Sequence, residues 1–357
     1  MKLHFVYLLI SFLLISTNFF CQKKIKKEEF LGNWVKIKTE MKDGSRLIAI
    51  YKGYIKQFEM TFQKNKFYKD YYPAQYYRNA TFDYKLKNNK LITSKHFAYK
   101  IEKLTKDSLV ISEEMKGVES DKLKRHYLIK KQSIISRQKE LNKDSSELIA
   151  NFFFTPKFKD NIKLYLNNML MKRHINLKLK GKILLDTKNK KVETKITYRD
   201  IENISMQENI LVNALNNSYT LWDIKGFENY ENIIINFVII MNRKGKKSYG
   251  IKVGLLTNSF EQALGLYGLS YNQITNGNKF LSLGIKSIEN KEYKKAIEYF
   301  TKSFKSNHTL VESLYNRAFC LYKLKEYNKA CEDWNILKEL GQKKGEKLFK
   351  KNCKIIE

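Results

Sequence analysis

The 357-residue sequence predicts a multidomain α+β protein in which an antiparallel β-barrel is followed by an α+β unit and then by α-helical repeats. Three patterns indicate this order. Apolar and polar residues alternate over residues 28–132, helix-like and strand-like patterns mix over 147–258, and similar segments recur about every 34 residues from 277 to 353. A chain of this length is expected to form about two or three domains.

The chain is strongly basic, with 68 Lys and Arg against 36 Asp and Glu and a formal net charge of +32. The lysines are spread over every segment and Arg is scarce, whereas recognition of bases and phosphates favours Arg. The charge therefore indicates a solvated surface, with attraction to an anionic membrane surface as the alternative. No nucleic-acid partner is predicted.

Residues 1–21 have the layout of a secretory signal peptide. A single Lys precedes an apolar run from Phe5 to Ile15, and polar residues follow it. Cleavage before Gln22 would release a soluble chain; lipidation of Cys21 and an uncleaved anchor are the alternatives. The segment resembles Bacteroidetes-type signals, which often end just before Gln, and this resemblance favours cleavage. We therefore expect an exported protein, periplasmic or associated with the outer membrane.

Residues 28–132 contain short segments in which apolar and polar residues alternate. Alternation over about 4–8 residues is typical of half-buried antiparallel strands. Clear examples are Phe58-Met60-Phe62, Phe82-Tyr84-Leu86, Phe97-Tyr99-Ile101, Leu109-Ile111 and Leu123-Arg125-Tyr127-Ile129. Because the segments recur at a spacing of roughly 8–12 residues, they predict a sandwich or a barrel.

The entry into this region, Phe30-Leu31-Gly32-Asn33-Trp34, resembles the Gly-x-Trp signature that opens lipocalin-like barrels. The resemblance implies that Trp34 closes one end of the barrel and that a late basic residue, here Arg125, packs across its ring through a cation–π contact. It also implies a small apolar ligand inside the barrel. The alternative is an interior filled by the protein's own side chains, as in many small barrels.

Residues 133–146 are mostly polar and charged, which predicts a linker or a bridging helix. Residues 147–258 then follow the order helix, hairpin, helix, Trp, strand. The last of these strands, residues 232–241, is apolar at successive positions, as expected of a strand that is buried on both faces.

This order resembles the C-terminal domain of TonB. The segment Gly181-Lys182-Ile183 through Asp186 matches the Gly-Lys-Val strand of that family, and Trp222 stands where the family has a Trp before its final strand. The resemblance implies a sheet edge that binds an extended peptide by strand addition. The chain lacks the Pro-rich spacer of an energy transducer, so a reused peptide-binding module or a structural module is favoured.

Residues 259–276 predict a connecting helix, and residues 277–353 predict two repeats with a capping helix. Small and large residues occupy the positions that tetratricopeptide repeats fill with a fixed set of residue types. They are Leu283-Gly284, Tyr293, Ala296 and Phe300 in the first repeat, and Ala318, Leu321, Tyr327, Ala330 and Trp334 in the second. The segment resembles that family over residues 277–344.

The same resemblance implies a concave binding face for a protein or an extended peptide. The positions on this face are Leu281, Ile285, Ile288, Glu312, Tyr315, Phe319, Tyr322 and Lys323. A stripe of aromatic residues at helical spacing can also be part of the core, and this alternative stays open.

Three further cysteines lie near the end of the chain, in a segment that export would place in an oxidising compartment. Cys331 begins the second helix of the second repeat and Cys353 ends the capping helix, so an antiparallel arrangement would bring them level. A Cys331–Cys353 bridge is favoured over the rival pair Cys320–Cys331.

The sequence carries no recognisable catalytic motif. The five His residues lie in different segments, none at metal-ligand spacing to another His or Cys, and no Gly-rich phosphate loop is present. Glu113 and Glu114 are adjacent, but neighbours on a strand point to opposite faces. We therefore predict no enzyme activity, no metal and no cofactor.

These patterns together predict a non-catalytic adaptor or scaffold of the cell envelope that binds partners through the repeat groove and a sheet edge. One alternative is a lipocalin-like carrier of a small apolar ligand, and another is a TonB-like component of energy transduction. A carrier requires a cavity of about 300 Å³ or more behind Trp34. An adaptor requires a filled barrel and an exposed aromatic groove at Tyr315 and Tyr322.

Overall fold

The computed structural model describes residues 25–48, 57–76, 80–244 and 248–353. The predicted signal peptide and Cys21 lie outside these ranges. The described chain is α+β, with a nearly closed antiparallel barrel, a mixed sheet flanked by helices, and a C-terminal helical stretch.

The barrel is a meander in which each strand pairs with its neighbours along the chain. After a short helix, α1 (Lys27–Phe30), its strands are β1 (Gly32–Met41), β2 (Glu59–Phe62), β3 (Lys66–Asp70), β4 (Thr81–Asp83), β5 (Lys85–Lys87), β6 (Lys90–Ile92), β7 (Phe97–Leu104), β8 (Ser108–Met115) and β9 (Lys124–Lys130). The order across the sheet is β4-β3-β2-β1-β9-β8-β7-β6-β5. Only Tyr84 separates β4 from β5 along the chain, so the two outermost strands continue into each other and nearly close the wall.

Trp34 lies in the half of the barrel nearer α1, among side chains that are almost all apolar. Its ring is fully buried, and its Nε1 donates a hydrogen bond of 2.7 Å to the carbonyl of Phe30. Phe30 and Phe62 meet edge to face beside it, with ring centroids 5.5 Å apart. This half of the interior is therefore a packed core.

The cation over Trp34 is Lys130, and the prediction of Arg125 was wrong. Lys130 Nζ lies 5.2 Å from the ring centroid, and the register pairs Trp34 with Lys130 across β1 and β9. Since side chains alternate along a strand, position 125 faces the opposite side of the wall. There Arg125 binds Glu102 at 2.7 Å and Glu40 at 3.3 Å.

The polar segment after the barrel forms helix α2 (Lys131–Leu141), which packs against β1 and β9. Lys131 Nζ lies 2.6 Å from Glu59 Oε2 on β2, and Ser133 donates a hydrogen bond of 2.6 Å to Asp107. Of the two readings of this segment, linker and bridging helix, the structure has the helix, and its first turn is fixed to the barrel wall.

The middle of the chain folds as a five-stranded sheet with helices on both faces. Its elements are β10 (Glu147–Ile149), β11 (Lys157–Phe158), α3 (Ile162–Leu170), β12 (Leu177–Asp186), β13 (Lys191–Arg199), α4 (Met206–Asn216), β14 (Trp222–Asp223), β15 (Asn232–Lys244), β16 (Ser248–Leu255) and α5 (Phe260–Tyr267). Strand β15 is central: β12 lies on one side, and β10 and β16 on the other. The short pair β11 and β14 forms a separate ribbon.

Strand β15 is buried on both faces, as its apolar sequence predicts. Phe237 and Ile239 belong to the core that α3 and α4 cover, whereas Val238 and Ile240 pack on Ala263 of α5. The last strand predicted from the sequence ends at residue 241. Strand β16, which pairs with the second half of β15, was not predicted.

The barrel and the middle sheet are joined by backbone hydrogen bonds. Phe158 of β11 donates to the carbonyl of Ala74 at 2.8 Å and accepts from the amide of Tyr76 at 2.7 Å. The amide of Ile162, at the start of α3, donates to Gln75 Oε1 at 3.0 Å. The two parts therefore share an interface as well as a covalent connection.

Five helices form the last part of the described chain: α6 (Tyr271–Glu289), α7 (Tyr293–Ser306), α8 (Val311–Lys323), α9 (Tyr327–Glu339) and α10 (Lys343–Asn352). Gly268, with φ of 74°, separates α5 from α6, so the connecting segment 259–276 is not one helix. Lys291 and Lys325 stand 34 positions apart in equivalent turns, with φ of 60° and 61°. The backbone thus repeats with the period of the sequence.

Tight contacts between neighbouring helices depend on small residues. A Cβ atom at Gly284 would lie 2.5 Å from the Phe300 ring, so the ring of α7 packs directly on the backbone of α6. A buried ion pair also joins two of the helices: Asp333 on α9 accepts a hydrogen bond of 2.9 Å from Arg317 on α8.

A disulfide joins Cys331 on α9 to Cys353 after α10, while Cys320 is free and buried.

The helical stretch also contacts the barrel, at the turn that follows β1. The amide of Arg46 donates to the carbonyl of Gly341 at 3.0 Å, and Gln342 Nε2 donates to the carbonyl of Arg46 at 2.9 Å. The amide of Lys343 donates to Ser45 Oγ at 2.9 Å. The start of α10 is therefore fixed between α9 and the barrel.

We expect Cys353→Ser to lower the free energy of unfolding of the helical stretch by about 3 kcal/mol, since the bridge closes a loop of roughly 20 residues. Urea denaturation followed by circular dichroism measures this change. Dithiothreitol should destabilise the wild type to the same extent and leave the variant unchanged. Equal stability of the oxidised wild type and the variant would contradict the expectation.

Candidate ligand-binding site

The half of the barrel interior away from Trp34 is polar. Along several strands the inward side chains change from apolar to polar with increasing distance from the Trp34 end of the barrel. On β8, for example, the inward residues are Leu109, Ile111 and Glu113. We call the resulting group the interior cluster. Its members are Lys36 on β1, Lys69 on β3, Tyr71 directly after β3, Tyr99 on β7, Glu113 on β8, and Lys124 and His126 on β9.

A cavity of about 390 Å³ adjoins this cluster between β3–β4 and β6–β7. Its walls are mainly aromatic, with one amine and two phenol hydroxyls among them. The lining residues are Phe67, Lys69, Tyr71, Ala80, Phe82, Thr93, Phe97 and Tyr99. The cavity therefore lies in the half of the barrel opposite Trp34, and not behind Trp34, where a carrier was predicted to have it.

Lys69 is the cationic group of the cavity wall. Its Nζ donates a hydrogen bond of 3.0 Å to the hydroxyl of Tyr99. The same nitrogen lies 5.0 Å from the ring centroid of Phe58 and 5.2 Å from that of Tyr99. Among the residues that the structure describes, no carboxylate forms an ion pair with Lys69.

His126 and Glu113 form the polar floor below the cavity. Thr39 Oγ1 and His126 Nδ1 share a hydrogen bond of 2.8 Å, and His126 Nε2 lies 3.7 Å from Glu113 Oε1, beyond hydrogen-bond distance. Glu113 Oε2 accepts a hydrogen bond of 3.0 Å from the backbone amide of Lys124. The neighbouring Glu114 faces outward and binds Lys90 at 2.6 Å, as alternation predicts.

Burial shifts the titration of these groups. It lowers the pKa of Lys36 to about 8, with the charges of Lys124 and Lys69 adding to the effect. It also lowers the pKa of Lys69 to about 8, where Lys124 adds to the effect and Glu113 opposes it. Burial likewise lowers the pKa of His126 and raises that of Tyr99.

Glu113 stays ionised in spite of its position. Burial alone would raise the pKa of this carboxyl, but the adjacent His126 and Lys124 hold it below its usual range. Within the interior cluster, three lysines therefore stand against one carboxylate. The interior carries an excess of positive charge at neutral pH, a feature that a packed apolar barrel does not need.

The residues predicted for the repeat groove do not form one open surface. Leu281 and Ile288 pack against the core around Phe300. Glu312 binds Lys122 of the barrel at 3.2 Å, and the Tyr315 hydroxyl accepts a hydrogen bond of 3.0 Å from the amide of Gly345.

The remaining predicted groove residues are at least partly exposed: Ile285, Phe319, Tyr322 and Lys323. Phe319 and Tyr322 are both 42% exposed, and Lys323 Nζ lies 5.5 Å from the ring centroid of Phe319. The open part of the groove is thus a short aromatic stripe on α8.

Side chains occupy both edges of the middle sheet. At the β13 edge, the amide of Thr194 donates to Asn216 Oδ1 at 2.8 Å. At the β16 edge, the Tyr267 hydroxyl accepts from the amide of Val253 at 2.8 Å and lies 3.2 Å from its carbonyl oxygen. Backbone groups that an added strand would use are therefore already bonded at these points.

Sequence analysis missed the interior cluster. It treated Lys36, Lys69 and Lys124 as part of a diffuse basic surface and His126 as an isolated residue. For three of these residues the available signal was their position, because Lys36, Lys69 and His126 each stand two residues from an inward apolar residue: Trp34, Phe67 and Leu128. A charged residue at the inward position of several strands indicates a polar site.

Comparison of the chain with protein-family models and with curated proteins finds no match. Within the described ranges, none of the helices combines the length and the apolar character that a membrane crossing needs. In the same ranges, no group of three or more His, Cys, Asp or Glu residues could hold a metal ion.

We expect Lys36 and Lys69 to make a contribution to the free energy of unfolding that rises with pH between about 8 and 10. Lys36 and Lys69 have pKa values of about 8 in the folded protein, against about 10.4 in an unfolded chain. In this interval the unfolded chain binds more protons, so deprotonation favours the folded state. Below about pH 8 both states are protonated, and the cost of burying the charge is fully present.

Lys36→Met should therefore stabilise the protein at pH 7 by about 1–3 kcal/mol, and this advantage over the wild type should shrink as the pH rises from 7 to 9.5. Urea denaturation at pH 7, 8.5 and 9.5 measures both effects. Lys38→Met, on the outward face of the same strand, is the control and should leave the pH dependence unchanged. A stability difference between Lys36→Met and the wild type that stays constant over this pH interval would contradict the expectation.

Proposed function

We propose that the protein is a non-catalytic binding protein whose barrel takes up a small organic molecule. The observation that carries this proposal is the cavity of about 390 Å³, which falls within the usual range of roughly 300–1,000 Å³ for ligand sites. The aromatic rings of Phe67, Phe82 and Phe97 offer apolar faces to a ligand. Lys69 and the two tyrosine hydroxyls offer the few polar groups that orient it.

A lipocalin-like identity of the barrel is part of this proposal. Three features support it: the meander order of the strands, the Gly32-Asn33-Trp34 signature at one end, and a basic residue, Lys130, over the Trp34 ring. The ligand would then lie in the half of the barrel opposite Trp34. Export to the periplasm or the outer membrane is likewise proposed, and it rests on the sequence of residues 1–21.

The adaptor function is the second candidate. The exposed Phe319 and Tyr322 on α8 support it, since a partly exposed aromatic pair on a rigid helix is a common anchor at protein interfaces. A tetratricopeptide-like identity of the helical stretch fits its 34-residue spacing. A TonB-like role through strand addition has the least support, because Asn216 binds the backbone of Thr194 on β13 and Tyr267 that of Val253 on β16.

Filling the cavity tests the carrier function. We expect Thr93→Trp, which places an indole in the cavity wall, to weaken binding of the neutral fluorescent probe N-phenyl-1-naphthylamine by tenfold or more. Fluorescence titration measures the affinity. The matched control is Thr81→Trp, on the outward face of β4, which should bind the probe as the wild type does. Equal binding by all three proteins would exclude the cavity as the site.

The adaptor function is tested by partner recovery from envelope extract. We expect the wild type to recover specific proteins that a Phe319→Ala/Tyr322→Ala variant loses, because the variant lacks both exposed rings. Quantitative mass spectrometry measures the recovery. Tyr271→Ala removes another exposed aromatic side chain, at the start of α6, and is the control. Equal recovery by wild type and double variant would remove the aromatic stripe as a contact surface.

A further inference from the structure

The charge of the cavity wall indicates the class of ligand more specifically than the volume of the cavity does. A ligand of neutral, apolar character would leave the ammonium of Lys69 in the barrel with only the partial compensation that the nearby Glu113 provides. The carboxylate in the interior cluster, Glu113, accepts from the amide of Lys124 and faces His126. It forms no ion pair with Lys69 within the described residues.

We propose that the barrel binds an organic anion with an apolar body, and that the Lys69 ammonium and the Tyr99 hydroxyl receive its anionic group. This inference rests on the proposed carrier function and concerns the same cavity. The anion class is a carboxylate, sulfonate or similar monoanion attached to an aliphatic or aromatic group.

The geometry around Lys69 fits this role. An ammonium group has three N–H donors, and the hydrogen bond to Tyr99 at 3.0 Å uses one of them. Tyr99 is itself a donor, so an anionic oxygen near Lys69 could accept hydrogen bonds from both side chains. Tyr71, on the same wall of the cavity, adds a second phenol hydroxyl.

The rest of the cavity fits the apolar body of such a ligand. Phe67 and Phe82 stack with ring centroids 5.3 Å apart, and Phe97 meets Tyr99 edge to face at 5.0 Å. Ala80 and Phe82 are exposed, so this part of the wall lies at the mouth of the cavity, whereas Phe67 and Tyr99 are buried. The cavity is thus amphipathic, with apolar aromatic faces beside one amine and its phenol partner, and it orients an anion with its charged group toward Lys69 and Tyr99.

Electrostatics favour occupation by an anion. A buried charge without a counterion is destabilising, and an opposite charge within about 4 Å compensates part of that cost. Lys36 and Lys124 raise the positive potential around Lys69 further, and Glu113 offsets part of it. The attraction acts where water is partly excluded, so it is stronger than that of the exposed lysines on the surface.

The affinity for an anion should fall above about pH 8. The groups that face Lys69 are Tyr99, Tyr71, Glu113, His126, Lys124 and Lys36. Burial lowers the pKa of His126 and raises those of the two tyrosines, so from pH 7 to 9.5 these three stay neutral and Glu113 stays ionised. Lys36 and Lys69, with pKa values of about 8, lose charge over this interval, which weakens the attraction.

A matched pair of probes tests the inference on the full-length protein. 1-Anilinonaphthalene-8-sulfonate carries a sulfonate, and N-phenyl-1-naphthylamine has the same aromatic body without it. We expect Lys69→Met to weaken sulfonate binding at pH 7 by tenfold or more and to change binding of the neutral probe less than twofold. Lys69→Arg, which keeps the charge, should restore most of the sulfonate affinity, and wild-type affinity for the sulfonate should fall from pH 7 to pH 9.5.

The control for the general basic charge is Lys66→Met, an exposed position on the same strand, which should bind both probes as the wild type does. Sulfonate binding that is unchanged in Lys69→Met, with neutral-probe binding retained and still blocked by Thr93→Trp, would overturn the anion inference alone. Failure of both probes to bind the wild type, or binding insensitive to Thr93→Trp, would overturn the carrier function itself. Circular dichroism confirms that each variant is folded.

Discussion

The alternation of side chains along the barrel strands is the constraint on which the account depends. On β9, positions 124, 126, 128 and 130 face inward and 125 faces outward. Because of this alternation, Lys130 lies over Trp34, Arg125 lies on the outer surface, and His126 and Lys124 lie in the interior. A shift of one residue in register would reverse each of these assignments, so the closed end and the charged cavity are fixed by the same pairing.

The barrel interior combines two environments with opposite effects on stability. Around Trp34 the side chains are packed and apolar, and they stabilise the wall. In the other half, Lys36 and Lys69 are held where burial disfavours their charge, which costs stability. The surrounding structure compensates through hydrogen bonds from the barrel to β11, through α2, and through the contact between Arg46 and the α9–α10 turn. A destabilised cavity inside a well-supported wall is a common feature of binding sites.

Local patterns in the sequence were enough for most of the elements. Period-two alternation predicted strands in the barrel region, although on β9 it aligned residues 123, 125, 127 and 129 instead of the inward residues 124, 126, 128 and 130. The 34-residue self-similarity predicted the four helices from α6 to α9. Contacts between distant segments were beyond these patterns. The engagement of Glu312 by Lys122 depends on how the barrel meets the helices, and no local signal reports it. Lys69 could be assigned to the interior from its alternation with Phe67, but its hydrogen bond to Tyr99, 30 residues away, required the fold.

The titration of the interior lysines tests the central claim most directly. Reductive methylation with ¹³C-labelled formaldehyde gives each lysine an NMR signal whose shift reports its protonation, and Lys36→Met and Lys69→Met assign the two signals. The account predicts midpoints of about 8 for both residues, well below those of the exposed lysines. Midpoints above 10 for all lysines would show that these two amines are solvated like the rest, and the charged cavity would have no basis.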